Sequence, residues 1–420
     1  MKRLFGNIGW LLGGRGFNAV LSLVYLALAT RTLGLAGFGH FALIVALGQT
    51  VTGLANFQTW QFVVRWGAED TGPQRAVGFA MALDLLSIGL GTVLAAGLVW
   101  SAQFWLPLPT ELLPLAFGFC VISLLSIRTT PVGIMRLHFV YGRETAADAV
   151  QPAIRAMGAI LAALYMPSVA GFILAWAAAE VAVAAAMWFA ASRVERIDPR
   201  QISLTKLPRE NPGAWRFVWA TNFSGSLNVG GKQVMLLLVG AIGGDTLAGG
   251  FRVAAQLGQA LVQLAQTVSK AIYPELVHAR ETAHAIARRM ANIALIAGFI
   301  AVLVAIMVGR PALALIAGPE FRVYWPMVIL AIAGAFELVG ASLESLLVSA
   351  GKAHVAFFCR AVPTLLAFLL LETSIGWMGL KGAGFAVLGS SALSVVGFWV
   401  AIISLSQIRI TVEEPPARPR

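Results

Sequence analysis

Residues 33–49 read LGLAGFGHFALIVALGQ, and residues 243–259 read GGDTLAGGFRVAAQLGQ. The second stretch begins 210 positions after the first, which is half the length of the 420-residue chain. Aligned without gaps, residues 18–49 and 228–259 share ten identities in 32 positions. Apolar composition alone gives about one match in ten. The repeat therefore predicts that the two halves of the chain are duplicated copies.

The composition is that of a membrane protein. Hydrophobic residues make up 59% of the chain and charged residues only 12%, and the mean hydropathy is +0.81. Apolar stretches of about 20 residues, each long enough to cross about 30 Å of hydrocarbon as a helix, recur throughout the sequence. The twelve predicted transmembrane helices cover residues 9–30, 38–60, 76–100, 111–128, 149–166, 168–191, 215–241, 246–270, 289–309, 323–350, 354–378 and 383–405.

The basic residues predict the orientation of these helices. The net charge is +11, and the chain has 30 lysines and arginines. If the N-terminus is cytoplasmic, 21 of them lie in inside segments, four in outside segments and five at membrane depth. This asymmetry follows the positive-inside rule, so we expect both termini in the cytoplasm. We therefore expect a multi-pass membrane protein, and the family resemblance described below implies the bacterial cytoplasmic (inner) membrane.

The predicted domains are two six-helix bundles, residues 1–191 and 214–406. A polar cytoplasmic linker with three prolines, residues 192–213, joins them, and residues 407–420 form a cytoplasmic disordered tail. Because each half has an even number of helices, its copy runs in the same direction through the membrane. Two parallel repeats are related by an axis along the membrane normal, which places a substrate site between them.

Three stretches carry a family resemblance: NIGWLLGGRGFNAVLSLVYLALATRTLGLAGFGHFAL (7–43), GGDTLAGGFRVAAQLGQALVQLAQTVSKAIYPEL (243–276) and PVGIMRLHFVYGRETAADAVQPAIR (131–155). They resemble the polysaccharide-biosynthesis exporters, which are flippases of undecaprenyl-linked oligosaccharides in the multidrug/oligosaccharidyl-lipid/polysaccharide exporter (MOP) superfamily. The resemblance implies a MATE-like fold with alternating access, and a role in making O-antigen, capsule or exopolysaccharide. It also implies that the first two helices of each half line a central cavity.

A row of polar residues marks the predicted cavity wall. Its members follow one face of the eighth helix at steps of four, three, four, three and four, and they are Arg252, Gln256, Gln259, Gln263, Gln266 and Lys270. Amides in a membrane helix are often hydrogen-bonding links between helices. Six aligned residues need too many partners for that role, so a water-filled wall is favoured.

Other polar residues on the cavity helices extend this prediction. Arg15 and Asn18 lie on the first helix, Lys232 on the seventh, and Asn222 and Gln233 beside it. Charges at membrane depth are costly, so each needs a partner or a cavity. Guanidinium, ammonium and amide groups suit a phosphate bearing sugar hydroxyls. The hypothesis is that Arg15, Lys232 and Arg252 neutralise a lipid diphosphate.

The acidic residues at membrane depth leave two roles open. Asp84, Glu180, Glu337 and Glu344 are the candidates. Glu337 and Glu344 could pair structurally with Lys232 or Arg360, or Asp84, Glu337 and Glu344 could bind a coupling proton or sodium ion. Two further membrane-depth cations, Arg155 and Arg360, lie near helix ends and could simply snorkel to the interface.

The expected partners are a polyprenyl-diphosphate-linked glycan, membrane lipid, and a polysaccharide polymerase and glycosyltransferases of the same pathway, without nucleic acid. No cofactor or metal is expected, since Cys120 and Cys359 form no ligand spacing and no P-loop lysine is present. The membrane potential or a proton or sodium gradient is the expected driving force. Alternative functions are a multidrug/cation antiporter of the same superfamily and a membrane glycosyltransferase or polymerase.

Overall fold

The computed structural model describes residues 2–68, 73–277, 283–349 and 352–405. These residues form helices and connecting turns without a β-strand. The α-helices are α1 Lys2–Ala55, α2 Thr59–Gly67, α3 Pro73–Trp105, α4 Leu113–Leu125, α5 Thr129–Leu137, α6 Tyr141–Asp148, α7 Val150–Tyr165, α8 Val169–Ser192, α9 Lys206–Glu210, α10 Gly213–Val277, α11 Ala283–Ile316, α12 Tyr324–Ser349, α13 Ala353–Met378 and α14 Leu380–Leu405. The fold is all-α, as the sequence predicted.

The helix α1 is a hairpin that reverses at Gly34. That residue has φ 66° and ψ −174°, a conformation that glycine adopts without strain. Tyr25 and Phe41 lie on opposite sides of it, and both rings contact Trp176, with centroids 4.7 and 5.4 Å from the Trp176 ring. A straight helix would separate residues 25 and 41 by about 24 Å. The two arms of α1 are therefore antiparallel neighbours.

The helix α10 makes the same reversal in the second half. Gly244 lies 210 positions after Gly34 and has φ 85° and ψ 178°. A Cβ atom on Gly240 would lie 3.4 Å from the Cβ of Ala248, which a continuous helix would hold about 12 Å away. Both copies of the repeated phrase thus fold into a helical hairpin, with the reversal in the gap between two predicted helices.

Ten helical segments of the described chain are long and apolar enough to cross a membrane. Two of these segments, Val20–Gly67 and Gly231–Ala260, contain the reversals at Gly34 and Gly244. Each reversal divides its segment into two antiparallel arms, and the count of twelve crossings stays a prediction.

The two hairpins pack against each other at their tips with the symmetry of a two-fold axis. A Cβ on Gly39 would lie 2.0 Å from the carbonyl oxygen of Asp245, and a Cβ on Gly249 would lie 2.6 Å from the carbonyl oxygen of Leu35. Positions 249 and 245 are positions 39 and 35 moved by 210. A contact and its exchanged copy are what a two-fold relation produces. The repeats are therefore parallel.

The packing of the second helix of each half on the fourth repeats as well. A Cβ on Gly48 would meet the ring of Phe119 in α4 at 2.6 Å. A Cβ on the equivalent Gly258 would meet the backbone of Met327 in α12 at 3.0 Å. Small residues at these positions let the helices approach closely. The internal duplication is thus visible in the contacts as well as in the sequence.

The segment between the two bundles packs against the first bundle. The helix α8 ends at Ser192 and α10 begins at Gly213, close to the predicted boundaries. In the linker, Leu207 is 1% exposed. A Cβ on Gly78 of α3 would lie 2.2 Å from the carbonyl oxygen of Gln201. The linker is therefore held on the protein, in addition to any contact with headgroups. The predicted tail, residues 407–420, lies outside the described residues.

Candidate functional site

One hydrogen bond joins the two halves near the middle of the membrane. The hydroxyl of Tyr25, in the first arm of α1, donates to Oε1 of Gln256, in the second arm of α10, over 3.1 Å. Tyr25 precedes the turn at Gly34 by nine residues, and Gln256 follows Gly244 by twelve, so they lie about 14 and 18 Å from the turns. In a hydrocarbon layer of about 30 Å, both are close to the midplane.

Three members of the predicted polar row lie in the described part of α10: Arg252, Gln256 and Gln259. Their spacing of four and three residues places them on one face of the helix. All three are partly exposed. Within the chain described here, no carboxylate lies within ion-pair distance of Arg252. No acid among the described residues therefore neutralises its positive charge. The side chain of Gln263 lies outside the described residues.

The first arm of each hairpin contributes differently from what was expected. Asn18 is partly buried, and no described residue forms a hydrogen bond with its Oδ1 atom. The side chain of Arg15 lies outside the described residues, so its predicted role stays a prediction. Lys232 bonds through Nζ to Oε2 of Glu337 over 2.7 Å, and the two side chains are 48% and 30% exposed. The ammonium group of Lys232 is thus already paired in this state.

The acids of the second half act as partners of cations. Besides the pair of Glu337 with Lys232, Oε2 of Glu344 accepts from Nη2 of Arg360 over 2.5 Å. The open alternative of structural pairing therefore describes Glu337 and Glu344 in this state. Arg360 is paired inside the protein, at 25% side-chain exposure, and does not snorkel. Asp84 lies on α3 in the first half, and its hydrogen-bond partners Thr59, Thr129 and Thr130 belong to that half as well.

Asp84 sits where two membrane helices are interrupted. Residues 56–58 break the second crossing before α2, and residues 126–128 break the fourth before α5. The hydroxyls of Thr59, Thr129 and Thr130 donate to the Asp84 carboxylate over 3.1, 3.2 and 2.5 Å. These threonines begin α2 and α5, so the carboxylate, 6% exposed, faces the positive ends of two half-helices. A buried negative charge is stabilised by such ends.

Asn222 has a structural partner in the first half. Its Nδ2 donates to the carbonyl oxygen of Asn56 over 2.9 Å, at the break between α1 and α2. Beside this contact, the rings of Phe57 and Trp219 meet at 5.4 Å between centroids. The sequence predicts that the amide of Asn222 binds sugar hydroxyls. In this state it instead binds backbone freed by the helix break, so the two halves also touch here.

The first half contains a cluster of charged and polar side chains that the sequence did not predict. Its members are Arg128, Gln151, Arg155 and Glu180, and we call it the Glu180 cluster. The carboxylate of Glu180 accepts from Arg128 over 2.9 Å, from Arg155 over 2.6 Å and from Gln151 over 2.7 Å. The guanidinium of Arg155 also stacks 3.8 Å from the ring centroid of Trp176. Snorkelling of Arg155 is therefore wrong, because it points into the protein.

Two aromatic residues, Tyr25 and Trp176, connect the Glu180 cluster to the boundary between the halves. Trp176 holds Arg155 on one face and contacts Tyr25, which bonds Gln256. Sequence reasoning missed both because a single aromatic residue in an apolar helix has no pattern of its own. The only signal was that each aromatic carries a polar group, which needs a partner when buried. Among the described residues, no group of His, Cys, Asp and Glu is arranged to hold a metal.

Comparison with known proteins assigns the family. A family model described as polysaccharide biosynthesis protein matches residues 4–280, about two thirds of the chain. The chain belongs to the polysaccharide biosynthesis protein family. The inner membrane protein YghQ of Escherichia coli (strain K12) is 28% identical to this chain over 334 residues. The alignment covers 76% of this chain and 94% of that protein. The match to the family model thus spans nearly all of the first half and the α10 hairpin.

Solved structures match this polysaccharide biosynthesis protein across nearly its whole length. The lipid II flippase MurJ in an inward closed conformation gives a TM-score of 0.74 at 10% identity, covering 94% of this chain and 87% of that one. An inward-facing MATE family multidrug resistance transporter of the MOP superfamily gives 0.70 at 14% identity, covering 94% of both chains. At these identities the likeness concerns the fold. The chain is thus a multi-pass membrane protein with the MOP fold.

Proposed function

We propose that this protein is a flippase that moves a polyprenyl-diphosphate-linked oligosaccharide across the bacterial cytoplasmic membrane by alternating access. Membership of the polysaccharide biosynthesis family and the MOP fold support this proposal. Glycosyltransferases would assemble the lipid-linked glycan before transport. A polymerase would use it afterwards to build a surface polysaccharide. In this proposal the protein transports and does not catalyse a glycosyl transfer.

The observation that carries the proposal is the charge of the polar row at the boundary between the halves. Arg252 has no acid partner among the described residues, and Gln256 and Gln259 follow on its face. The bond from Tyr25 to Gln256 marks this face as the one that meets the other half. A guanidinium binds phosphate oxygens through two parallel hydrogen bonds, and amides bind hydroxyls. A diphosphate joined to sugars matches that set of donors.

The same charges disfavour a cation as the transported molecule. Glu180, Glu337 and Glu344 are each bonded to at least one lysine or arginine, and Asp84 is enclosed by threonine hydroxyls. Among the described residues, the row on α10 therefore presents positive charge and amides without an unpaired carboxylate. A drug cation antiporter needs an acid that can face its substrate.

The two-fold contact of the hairpin tips supports alternating access. Gly39 and Gly249 bring the backbones of α1 and α10 together at the predicted outer end, so that end is closed in this state. Rocking of the halves about their axis would separate the tips and open the midplane row to the other side. The polyprenyl chain can remain in the lipid while the diphosphate crosses.

The proposed driving force is the membrane potential, with a proton or sodium gradient as the alternative. An anion that leaves a negative interior gains about 2.3 kcal/mol per charge for each 100 mV. If the potential suffices, a potassium diffusion potential, negative inside, will accelerate export without any proton or sodium gradient. Dependence on either gradient at zero potential would assign the coupling to an ion.

Transport in proteoliposomes tests the proposal. A fluorescent polyprenyl-diphosphate oligosaccharide is followed by its accessibility to a membrane-impermeant quencher, with a cationic dye assayed in parallel. We expect flipping of the glycolipid by the unmodified protein and at least a tenfold loss in Arg252→Gln. The control Arg75→Gln removes an equal charge from the exposed pair with Glu210 and should leave the rate unchanged.

Other results would replace the proposed function. Movement of the dye without the glycolipid would place the protein with the cation antiporters. A longer glycan in the recovered lipid, without a change of leaflet, would make it a glycosyltransferase or polymerase. If the unmodified protein and Arg252→Gln flip the glycolipid at equal rates, the protein is a flippase but Arg252 does not bind the substrate.

A further inference from the structure

We propose that the Glu180 cluster, together with Trp176, is a phosphate-binding site in the first half of the protein, and that it receives the diphosphate of the transported lipid. This inference rests on the proposed function, and it adds a second set of residues to the row on α10. Three observations support it: excess positive charge, unused hydrogen-bond donors and position.

The cluster carries more positive than negative charge. Arg128 and Arg155 share the carboxylate of Glu180, with side chains 28%, 20% and 14% exposed. The part of the chain that the structure describes supplies no second acid to either arginine. Within a membrane-spanning region, one uncompensated positive charge needs an anion or water. The charge therefore points to an anionic ligand.

The guanidinium of each arginine makes one hydrogen bond to Glu180 and none to another described residue. Arg155 bonds Glu180 through Nη2 alone, and Arg128 bonds it through Nη1 alone. Arg136 shows the contrast, because it binds Glu144 through Nε and Nη2 together, as a guanidinium does when a carboxylate satisfies it. The forked edges of Arg128 and Arg155 thus remain open to a second oxyanion.

Two buried donors without an acceptor lie beside each other in this place. Within the described parts of the chain, Nε of Arg155 and Nε1 of Trp176 have no hydrogen-bond partner, and Trp176 is only 3% exposed. Buried N–H groups are almost always paired, so an unpaired one requires an explanation. A phosphate oxygen is an acceptor that both can share, since the guanidinium lies against the indole ring, 3.8 Å from its centroid.

The position connects the cluster to the predicted transport path. Trp176 contacts Tyr25, which bonds Gln256 of the row on α10 across the boundary. Breaking the Tyr25 bond when the halves separate would free Gln256 and the Tyr25 hydroxyl together. A diphosphate has two phosphoryl groups, so Arg252 and the Glu180 cluster can act on one substrate in sequence during the cycle.

Binding of farnesyl diphosphate to the purified full-length protein in nanodiscs tests this inference, with farnesol as the uncharged probe. We expect Arg155→Gln to weaken farnesyl diphosphate binding at least tenfold and to leave farnesol binding unchanged. Trp176→Phe keeps the ring that packs on Arg155 and removes only the N–H donor. We expect a threefold to tenfold loss in that variant, which a purely structural tryptophan would not show.

The control Arg75→Gln should bind as the unmodified protein does. If Arg155→Gln and Trp176→Phe both bind farnesyl diphosphate normally while remaining folded by size exclusion, the inference is overturned. Loss of the Arg155-dependent binding when phosphatidylglycerol replaces phosphatidylcholine in the nanodisc would also overturn it, because the ligand would then be a membrane phospholipid. Glycolipid flipping is measured separately, in proteoliposomes. If the unmodified protein does not flip the glycolipid, that result contradicts the proposed function instead.

Discussion

At the scale of single residues, Gly39 has no space for a side chain. Its Cβ would lie 2.0 Å from the carbonyl oxygen of Asp245, in the backbone of the opposite hairpin. Because that oxygen belongs to a helix, it cannot move as a flexible side chain does. The glycine is therefore required for the closed tip contact rather than for a turn.

We expect Gly39→Ala to weaken the closed state. Overpacking of this kind destabilises a contact by about 1–3 kcal/mol, which corresponds to a population change of about 5- to 150-fold. Hydrogen–deuterium exchange of residues 240–250 should rise in the variant. The control is Gly89→Ala, since nothing lies within 4 Å of a Cβ there. Equal exchange in the two variants would contradict the tip contact.

Asp84 is the second residue with a sharp expectation. Asp84→Ala removes the carboxylate that accepts from the hydroxyls of Thr59, Thr129 and Thr130. These hydroxyls also contact one another, so part of their hydrogen bonding remains in the variant. Unsatisfied buried groups destabilise by about 1–3 kcal/mol each, so we expect a clearly lower melting temperature in detergent. Glu111→Ala, at an exposed position, is the control. Unchanged melting would show that the hydroxyls find other partners.

A second substitution at Asp84 tests whether this residue also binds a coupling ion. Asp84→Asn removes the charge and keeps the shape. If Asp84 is structural, potential-driven flipping continues in this variant at reduced stability. Loss of gradient-driven flipping with normal melting would instead assign the coupling ion to Asp84. The predicted ion roles of Glu337 and Glu344 can be tested with the corresponding glutamines.

At the scale of helices, the pair of Lys232 and Glu337 links α10 to α12. Both side chains are partly exposed, so we expect a coupling of about 0.2–1 kcal/mol in a double-mutant cycle of Lys232→Gln and Glu337→Gln, measured by thermal unfolding. A larger coupling would show that the pair is desolvated.

Transport by the same variants separates two roles of Lys232. If it binds the diphosphate, Lys232→Gln is slow and adding Glu337→Gln does not restore the rate. If it only neutralises Glu337, the double variant recovers. We expect the double variant to remain slow, because 48% exposure leaves the ammonium group of Lys232 accessible to a second anion beside Glu337.

At the scale of the whole molecule, the two halves must separate for transport. A short bis-methanethiosulfonate reagent that forms disulfides with His40→Cys and Asp245→Cys joins the hairpin tips, since Nε2 of His40 lies 3.2 Å from Oδ2 of Asp245 in the opposite hairpin. We expect flipping to stop when the reagent links the two cysteines and to return on reduction, measured in proteoliposomes of a chain without Cys120 and Cys359.

The matched control is a disulfide within one half. A Cβ on Gly158 would lie 2.8 Å from the Cβ of Ala175, and both residues belong to the first bundle. A link between Gly158→Cys and Ala175→Cys should leave flipping unchanged. Arrest by this link too would mean that movement within a bundle, and not rocking of the halves, carries the substrate.

The sequence by itself determined the membrane class, the all-α fold and the duplication, because hydrophobic length and repeated spacing are local properties of the chain. It also determined that Arg252, Gln256 and Gln259 share a helix face, since helical periodicity fixes that relation. Gly34 and Gly244 fall in the gaps between two predicted helices, so the sequence also located both reversals. These features need no knowledge of which helices become neighbours.

Only the tertiary structure decided which charges meet. Lys232 and Glu337 are 105 positions apart, and Arg155 and Glu180 are 25 apart on different helices. Any membrane-depth cation can pair with any acid as far as sequence spacing is concerned, so the partners depend on helix packing. The same holds for Tyr25 and Gln256, which are 231 positions apart. A site between two halves exists only when the halves are assembled.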